Sequence, residues 1–182
     1  MNNKTIAIFD FDQTLYMCPL PTPENREKLS KAIDYTRSGW WGRGESLNLD
    51  VFDILPNPHI KSQYDIHSEI GNKRFMLTGR IFRLKEAVRN VFRKDGFSFD
   101  GEYYADGRRT IDYKLAIIDE LVETHNPSTI YFYDDREEHI QEFRTKGDEL
   151  KDTKGIDFYQ YQVFIDGSGI IEVPYGQKGV VE

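Results

Sequence analysis

Four polar clusters along the chain carry residue types that could together handle a phosphate group. Three of them directly follow an apolar segment and the fourth lies near the start of a helical pattern: Asp10 and Asp12, Thr78 and Gly79, Asp134 and Asp135, and Lys114. Carboxylates can attack a phosphate, move protons or bind a hard cation, whereas hydroxyl, amide and ammonium groups can hold an anion. The combination favours chemistry on a phosphate with help from a metal ion.

The Asp10/Asp12 pair has the spacing at which two side chains of an extended segment point the same way. Two neighbouring carboxylates repel each other unless a cation or a proton lies between them. Mg²⁺ prefers oxygen ligands and commonly accompanies a phosphate, and Asp134 and Asp135 could supply further oxygens. Taken alone, the pair is equally compatible with a solvated turn or a helix cap.

The anion-binding groups are expected at Thr78, Gly79 and Lys114. The Thr78 hydroxyl and the backbone N–H groups around Gly79 can approach an anion closely, because glycine has no side chain in the way. Lys114 offers a compact positive charge for a phosphate oxygen or for Asp10. Separately these residues would be an ordinary helix cap and a surface lysine, so the prediction depends on finding all the clusters together.

The elements that must bring these clusters together alternate between strand and helix patterns. Core strands are predicted at 4–9, 73–77, 128–133 and 156–165, a short strand within 97–107, and an edge strand or tail in SGIIEVPYG. Helices are predicted at 24–37 (with Leu29, Ile33 and Tyr35 inward), 81–94, 111–125 and 136–147. This order predicts an α/β fold, a three-layer Rossmann-like sandwich whose mostly parallel sheet binds ligands beyond its carboxyl ends.

The organisation expected is one domain over residues 1–182, with a small irregular cap or insert at 17–72 between the first two core strands. Trp40 and Trp41 lie in this insert. Either ring could stack on a nucleic-acid base, although packing of the insert onto the core is the favoured interpretation. Arg80 is a further candidate for contact with the substrate.

Composition limits the partners. The 182 residues carry a formal net charge of −7, which disfavours a long groove that tracks nucleic-acid phosphates. Cys18 is the single cysteine, so neither an intrachain disulfide nor a cysteine zinc site is possible. No apolar run approaches the length of a membrane span, so we expect a cytoplasmic protein that does not act at a membrane. The sequence indicates no obligate protein partner.

At these clusters the sequence resembles the haloacid dehalogenase-like (HAD) hydrolase superfamily. DFDQT matches the first motif DxDxT, Thr78 after KRFML resembles the second motif, Lys114 is placed like the third, and YFYDD resembles the acidic fourth. PLPTP, SGWWGR, FDILPNP, LTGR and YDDREEHIQEF further resemble the Swiss Army Knife RNA repair-like branch. YDDR is also similar to the phosphatase domain of polynucleotide kinase-phosphatases. Gln13 stands where glycine is common.

The resemblance implies a role for each matched residue. Asp10 attacks phosphorus and becomes an aspartyl-phosphate, while Asp12 protonates the leaving oxygen and later deprotonates water. The remaining implied roles are phosphoryl binding by Thr78 and Lys114, and Mg²⁺ binding by Asp134, by Asp10 and by the Asp12 carbonyl, with Asp135 supporting the metal shell or Lys114.

The expected function is therefore a Mg²⁺-dependent phosphomonoesterase that acts on a nucleic-acid end or a nucleotide. Two alternatives stay open. One is a small-molecule phosphatase such as a nucleotidase. The other is a non-catalytic binder of phosphorylated nucleic-acid ends, against which the presence of both Asp10 and Asp12 counts.

Overall fold

The sheet is the element that positions every candidate residue. The computed structural model describes residues 4–34 and 39–174, which contain strands β1 Thr5–Phe9, β2 Lys73–Ile81, β3 Gly101–Ala105, β4 Thr129–Asp134, β5 Asp157–Val163 and β6 Ile170–Glu172. They form one sheet in the order β3-β2-β1-β4-β5-β6. The pairs along β3 to β5 are parallel, and only β6 runs antiparallel at the edge. The predicted α/β fold with a mostly parallel sheet is confirmed.

Helices cover both faces of this sheet. Within the described residues these are α1 Pro23–Ile33, α2 Pro58–Glu69, α3 Lys85–Arg93, α4 Thr110–His125 and α5 Ile140–Lys154. Successive β1 side chains point to opposite faces, so Ala7 and Phe9 pack with α1, α2 and α3, whereas Ile6 and Ile8 pack with α4 and α5. The result is the predicted three-layer arrangement.

Strand β1 lies at the point where the order of strands reverses. Its partners are β2 on one side and β4 on the other, both parallel to it. Crossovers that leave β1 in opposite directions open a crevice beyond its carboxyl end. Asp10 immediately follows β1, and Asp134 ends β4, so the fold brings these two acids to one edge.

The first helix is shorter than predicted. Helix α1 begins with Pro23 after the N-cap Thr22, whose hydroxyl accepts from Asn25 N, and ends at Ile33. Asp34 then takes a left-handed conformation with φ 51°. Leu29 is buried as predicted, but Ile33 is 41% exposed, so its predicted inward position was wrong. Tyr35 and the remainder of the predicted helix lie outside the described residues.

The second core strand continues past the predicted end at residue 77. β2 extends to Ile81, with an irregularity in its pairing to β3 between Thr78 and Ile81. The helix predicted from residue 81 therefore begins later, because a 3₁₀ turn over Phe82–Leu84 precedes α3. An irregularity of this kind re-aims side chains at a strand end, and here it lies in the segment that carries Gly79 and Arg80.

Two other helices differ from the sequence prediction. Helix α2 was not predicted, since its inner face carries only Ile60, Tyr64 and His67. Helix α5 continues beyond residue 147 to Lys154, and Gly155 closes it with φ 68°. A 3₁₀ turn over Glu137–His139 fills the start of the predicted helix.

The segment 17–72 contains α1, a 3₁₀ turn over Gly44–Leu47 and α2. Its α2 part packs on the sheet, where His67 Nε2 lies 3.0 Å from the Tyr133 hydroxyl oxygen. A cap role for this segment, within one domain, stays a prediction. In the described part of the chain, no helix is both long enough and apolar enough to cross a membrane.

Candidate active site

Lys114 is the centre of the site. From the second turn of α4 its Nζ donates to Asp10 Oδ1 at 2.7 Å and to Asp134 Oδ2 at 2.5 Å. The lysine is only 1% exposed, and both carboxylates are buried as well. A buried ammonium is tolerated because two hydrogen-bonded carboxylates compensate its charge. Lys114 thus contacts Asp10, one of the two partners that the sequence suggested for it.

The charges around Lys114 do not balance. Burial raises the pKa of Asp10 to about 7; Lys114 opposes this shift, whereas Asp134 and Asp12 add to it. Burial lowers the pKa of Lys114, but Asp10 and Asp134 outweigh burial and hold that pKa above its ordinary value. Several acids around one ammonium leave an excess of negative charge, which is the environment that a cation would stabilise.

The two acids that end β4 have different surroundings. Asp134 uses both carboxylate oxygens inside the protein, Oδ2 for Lys114 and Oδ1 for the backbone N–H of Arg136 at 2.9 Å. Asp135 lines the cleft, and within residues 4–34 and 39–174 its carboxylate accepts no hydrogen bond. Burial raises the pKa of Asp135 to about 8, and Asp10 and Asp134 raise it further. Each Asp134 oxygen thus already accepts one hydrogen bond, whereas the Asp135 carboxylate faces the cleft without one from the described residues.

Thr78 and Gly79 lie at the same edge of the sheet. Thr78 is fully buried, and its hydroxyl accepts from the backbone N–H of Arg80 at 3.1 Å. Gly79 lines the cleft, and a Cβ at this position would lie 3.2 Å from Thr110 Cγ2. The backbone at Gly79 is thus open to an approaching anion, whereas a larger residue would press on α4.

Asp12 is held by Arg80. The guanidinium donates from Nε to Asp12 Oδ2 at 2.9 Å and from Nη2 to Asp12 Oδ1 at 2.8 Å. Arg80 is only 1% exposed, so its charge is directed inward to this carboxylate. The structure therefore brings Arg80 to the site, but in contact with Asp12, and this fork-like pairing fixes the carboxylate in one orientation.

The two tryptophans of the insert have different positions. Trp40 is buried, donates from Nε1 to the Pro19 carbonyl at 2.7 Å and packs edge-on against Phe52. Trp41 is half-buried and lines the cleft, and the Arg80 guanidinium lies 5.3 Å from its ring centre. The structure brings Trp41 to the site and leaves Trp40 in the core.

Gln13 forms the turn that follows Asp12. It takes a left-handed conformation with φ 58°, which glycine adopts at lower cost. Its side-chain amide donates to the Cys18 carbonyl, and this bond compensates part of the backbone cost. The turn is therefore formed without the glycine common at this position of the family motif.

The cleft that these residues surround has a volume of about 580 Å³. Besides the predicted site residues, it is lined by seven others, namely Gln13, Leu20, Thr110, Arg136, Glu137, Glu138 and Ile165. Arg136 could have been found, because it directly follows Asp135 at the end of a core strand. Thr110 and Ile165 could not, because their approach depends on how α4 and the end of β5 are placed.

A divalent cation fits the donor set, although the carboxylates do not form a complete metal cage. In the described ranges 4–34 and 39–174, no three His, Cys, Asp or Glu side chains are grouped closely enough to hold a metal ion by themselves. Mg²⁺ is commonly held by one or two carboxylates together with water and substrate phosphate. Asp10 and Asp135, with their raised pKa values, match that need.

The fold and the site together define a class of protein. A Rossmann-like sheet carries an Asp-x-Asp pair after its central strand, a buried lysine on a following helix and two acids after the neighbouring strand. These are the features of a HAD-type phosphatase.

Residues 73–174 match the model for HAD domain family 1 in Swiss Army Knife RNA repair proteins, and the chain belongs to this family. It is thus an enzyme of the HAD-like phosphatase class. The matched range contains Thr78, Lys114, Asp134 and Asp135, whereas Asp10 and Asp12 precede it.

Solved structures share the fold at low sequence identity. Two are chains from structures titled the Pnkp1/Rnl/Hen1 RNA repair complex and the Pnkp1/Rnl/Hen1 complex, each with TM-score 0.53 and 16% identity. The alignments cover 88% and 90% of this chain but only 43% and 47% of those chains, so this chain spans less than half their length.

A haloacid dehalogenase-like family hydrolase from Streptococcus pneumoniae has TM-score 0.49 and 14% identity, with 87% of this chain and 84% of that chain covered. No curated protein matches the sequence significantly.

Proposed function

We propose that this phosphatase is a Mg²⁺-dependent phosphomonoesterase that works through an aspartyl-phosphate on Asp10. The observation that carries the proposal is the contact of Lys114 Nζ with Asp10 Oδ1 at 2.7 Å in a buried position at the cleft. A carboxylate held by an ammonium at the carboxyl end of the central strand is oriented for attack. The same ammonium can stabilise charge on the phosphoryl oxygens.

The reaction has two displacements at phosphorus. A carboxylate oxygen of Asp10 bonds to phosphorus, the ester P–O bond breaks, and the Asp12 carboxyl gives a proton to the leaving oxygen. Water then attacks phosphorus, Asp12 takes its proton, and the bond between phosphorus and Asp10 breaks to release inorganic phosphate. One positioned acid or base of this kind typically contributes about 10²–10⁴-fold to the rate.

Phosphate binding is assigned to Lys114 and to the backbone at Gly79, which both line the cleft. Thr78 is proposed to hold a phosphoryl oxygen as well, because its hydroxyl oxygen accepts from the backbone N–H of Arg80 and its O–H can still donate. Arg136 joins the group, since it lines the same cleft and carries a permanent positive charge, which contacts Glu138 at 3.2 Å.

The metal is assigned to Asp10, the Asp12 backbone carbonyl and Asp135. HAD hydrolases typically use a divalent metal ion, and bound Mg²⁺ would neutralise phosphoryl oxygens. Asp134 was expected as a direct ligand, but both its oxygens already accept hydrogen bonds from Lys114 and Arg136. We therefore assign Asp134 to the orientation of Lys114, and Asp135 to the metal.

The substrate proposed is a phosphorylated nucleic-acid end or a nucleotide. The family occurs in RNA repair proteins, and Trp41 offers a ring at the cleft on which a base can stack. Glu137 and Glu138 also line the cleft, which disfavours a long run of nucleic-acid phosphates there. We therefore place a terminal phosphate at the site. We also infer that the protein acts in the cytoplasm.

The test measures phosphate release with Mg²⁺ from p-nitrophenyl phosphate, mononucleotides, and RNA or DNA oligonucleotides phosphorylated at the 3′ or 5′ end. We expect kcat/KM to be highest for a phosphorylated end, and Asp10→Asn to abolish release from every substrate. Full activity in that variant would contradict the mechanism.

The two alternatives give different results in the same assay. A nucleotidase would show its highest kcat/KM on mononucleotides. A non-catalytic binder would bind phosphorylated ends tightly and release no phosphate with any divalent metal.

A further inference from the structure

Arg80 connects Asp12 to the loop of residues 41–46, which we call the insert loop. One end of the guanidinium, Nε and Nη2, donates to the Asp12 carboxylate. The other end, Nη1, donates to Ser46 Oγ at 2.8 Å and to the Trp41 carbonyl at 3.3 Å. A single side chain therefore joins the proposed acid/base to the insert loop.

The insert loop is itself braced around this contact. Ser46 is fully buried, and its hydroxyl donates to the Arg43 carbonyl at 2.7 Å while it accepts from Arg80. The guanidinium carbon also lies over the Trp41 ring, 5.3 Å from its centre. The Arg80 guanidinium thus donates to acceptors on both sides that fix its position, and a planar guanidinium pairs with a carboxylate in one defined geometry.

We infer that Arg80 is a positioning residue that orients Asp12 for proton transfer, and that the insert loop sets this orientation through Ser46. The inference rests on the proposed function, in which Asp12 is the acid and base. It reassigns Arg80 from contact with the substrate, because its guanidinium is buried and directed to Asp12 and the insert loop.

The role predicts an effect that a merely structural residue would not cause. Proton donation matters most when the leaving oxygen is strongly basic, as in an alkyl phosphate. It matters little when the leaving group is a stabilised phenolate, as in p-nitrophenyl phosphate. Loss of Asp12 orientation should therefore reduce kcat/KM for an alkyl ester much more than for an aryl ester. General loosening of the fold would reduce both equally.

The experiment measures kcat/KM on ethyl phosphate and on p-nitrophenyl phosphate with Mg²⁺ for the wild type, R80Q, R80K and S46A. We expect R80Q to lose about 10²-fold on the alkyl ester and less than about 10-fold on the aryl ester. R80K keeps the positive charge but loses the two-pronged guanidinium, and S46A removes the hydroxyl that contacts Arg80. Both should lower the alkyl-to-aryl ratio of kcat/KM in the same direction, by smaller factors.

R83Q is the matched control. Arg83 also holds this part of the insert, because its Nη2 donates to the Gly42 carbonyl at 3.0 Å, but it is exposed and does not contact Asp12. The ratio of kcat/KM on ethyl phosphate to kcat/KM on p-nitrophenyl phosphate should be the same in R83Q as in the wild type. A thermal unfolding transition shows whether each variant is folded. If R80Q does not fold, R80K and S46A provide the test.

Several outcomes would overturn the inference. Equal losses on both esters in R80Q and R80K, or a change in R83Q as large as in R80Q, would contradict a positioning role. An unchanged ratio in S46A would contradict the part assigned to the insert loop. If the wild type hydrolyses both esters, D10N is inactive and the Arg80 variants keep the ratio, only this inference fails. A wild type inactive on all phosphomonoesters would contradict the proposed function as well.

Discussion

Lys114 Nζ lies 2.7 Å from Asp10 Oδ1, although 104 residues separate the two along the chain. The same ammonium reaches Asp134 at 2.5 Å, so it joins the central strand β1 to its neighbour β4 at their carboxyl ends. This contact therefore serves the fold and the proposed chemistry at the same time.

Replacement of Lys114 by methionine should damage both stability and activity. The change leaves the buried carboxylates of Asp10 and Asp134 without a counter-charge, which typically costs about 3–5 kcal/mol. It also removes a charge proposed to stabilise the phosphoryl oxygens, so kcat/KM should fall by about 10²–10³-fold. Urea unfolding and phosphatase assays measure the two effects.

Lys146→Met provides the control for stability. Lys146 Nζ also contacts two carboxylates, Asp119 at 3.1 Å and Glu149 at 2.8 Å, but both acids are half exposed. Water compensates exposed charges, so this change should alter the free energy of unfolding by less than about 1 kcal/mol. Equal destabilisation by the two methionine variants would contradict the account.

Asp134→Asn and Asp135→Asn should separate metal binding from lysine orientation. Asp135 faces the cleft, so its amide variant should raise the Mg²⁺ concentration for half-maximal activity by about 10-fold or more. Asp134 is engaged by Lys114, so its variant should chiefly lower kcat and the unfolding temperature. Activity measured across a Mg²⁺ titration decides, and the reverse pattern would restore Asp134 as the direct ligand.

His67 should make the fold sensitive to acid. Burial, aided by Arg74, lowers its pKa to about 4, whereas an unfolded histidine titrates near 6.5. Between these values the unfolded chain binds a proton that the folded chain does not. The stability from neutral His67 is therefore complete above pH 6.5 and lost as pH falls towards 4, by roughly 1–3 kcal/mol.

Urea unfolding between pH 4.5 and 7.5 measures this effect. His67→Gln removes the titrating group, so the difference in stability between wild type and variant should shrink as pH falls. His59→Gln, at an exposed position of the same helix, should leave the pH dependence unchanged. A constant difference between wild type and His67→Gln would show that His67 is not the acid-sensitive group.

At position 13, glycine should be more stabilising than alanine, which is the reverse of their usual order in a helix. At φ 58° a Cβ is unfavourable, so Gln13→Gly should be more stable than Gln13→Ala by about 1 kcal/mol. At the exposed helical residue Asp148 the order should be the opposite, with Asp148→Ala more stable by about 1 kcal/mol. The same order at both positions in urea unfolding would contradict the left-handed turn.

The sequence was sufficient to predict the acids of the site and their common edge. Asp10, Asp134 and Asp135 each follow a strand whose apolar residues are clear, and parallel strands place their carboxyl ends together. Lys114 could be predicted only in combination with these acids, because alone it has the pattern of a surface lysine on a helix. Where a strand ends follows from the local sequence pattern, so these positions depend little on how the rest of the chain packs.

The pairing of Asp12 with Arg80 could not be predicted, because it depends on the irregularity of β2 after Thr78. Helix α2 was not predicted, because two of its three buried residues are Tyr64 and His67, which do not contribute to a pattern of aliphatic residues at helical spacing. The different positions of Trp40 and Trp41 likewise depend on how the insert packs, which neighbouring tryptophans do not reveal.

The most direct test of the central claim is chemical trapping of phosphate on Asp10. Protein quenched during turnover with Mg²⁺ and substrate is treated with borohydride, which reduces an aspartyl-phosphate to homoserine, and the peptides are sequenced by mass spectrometry. The account predicts homoserine at position 10, absent without substrate and absent in Asp10→Asn. Steady turnover with unmodified Asp10, or with homoserine at another aspartate, would contradict it.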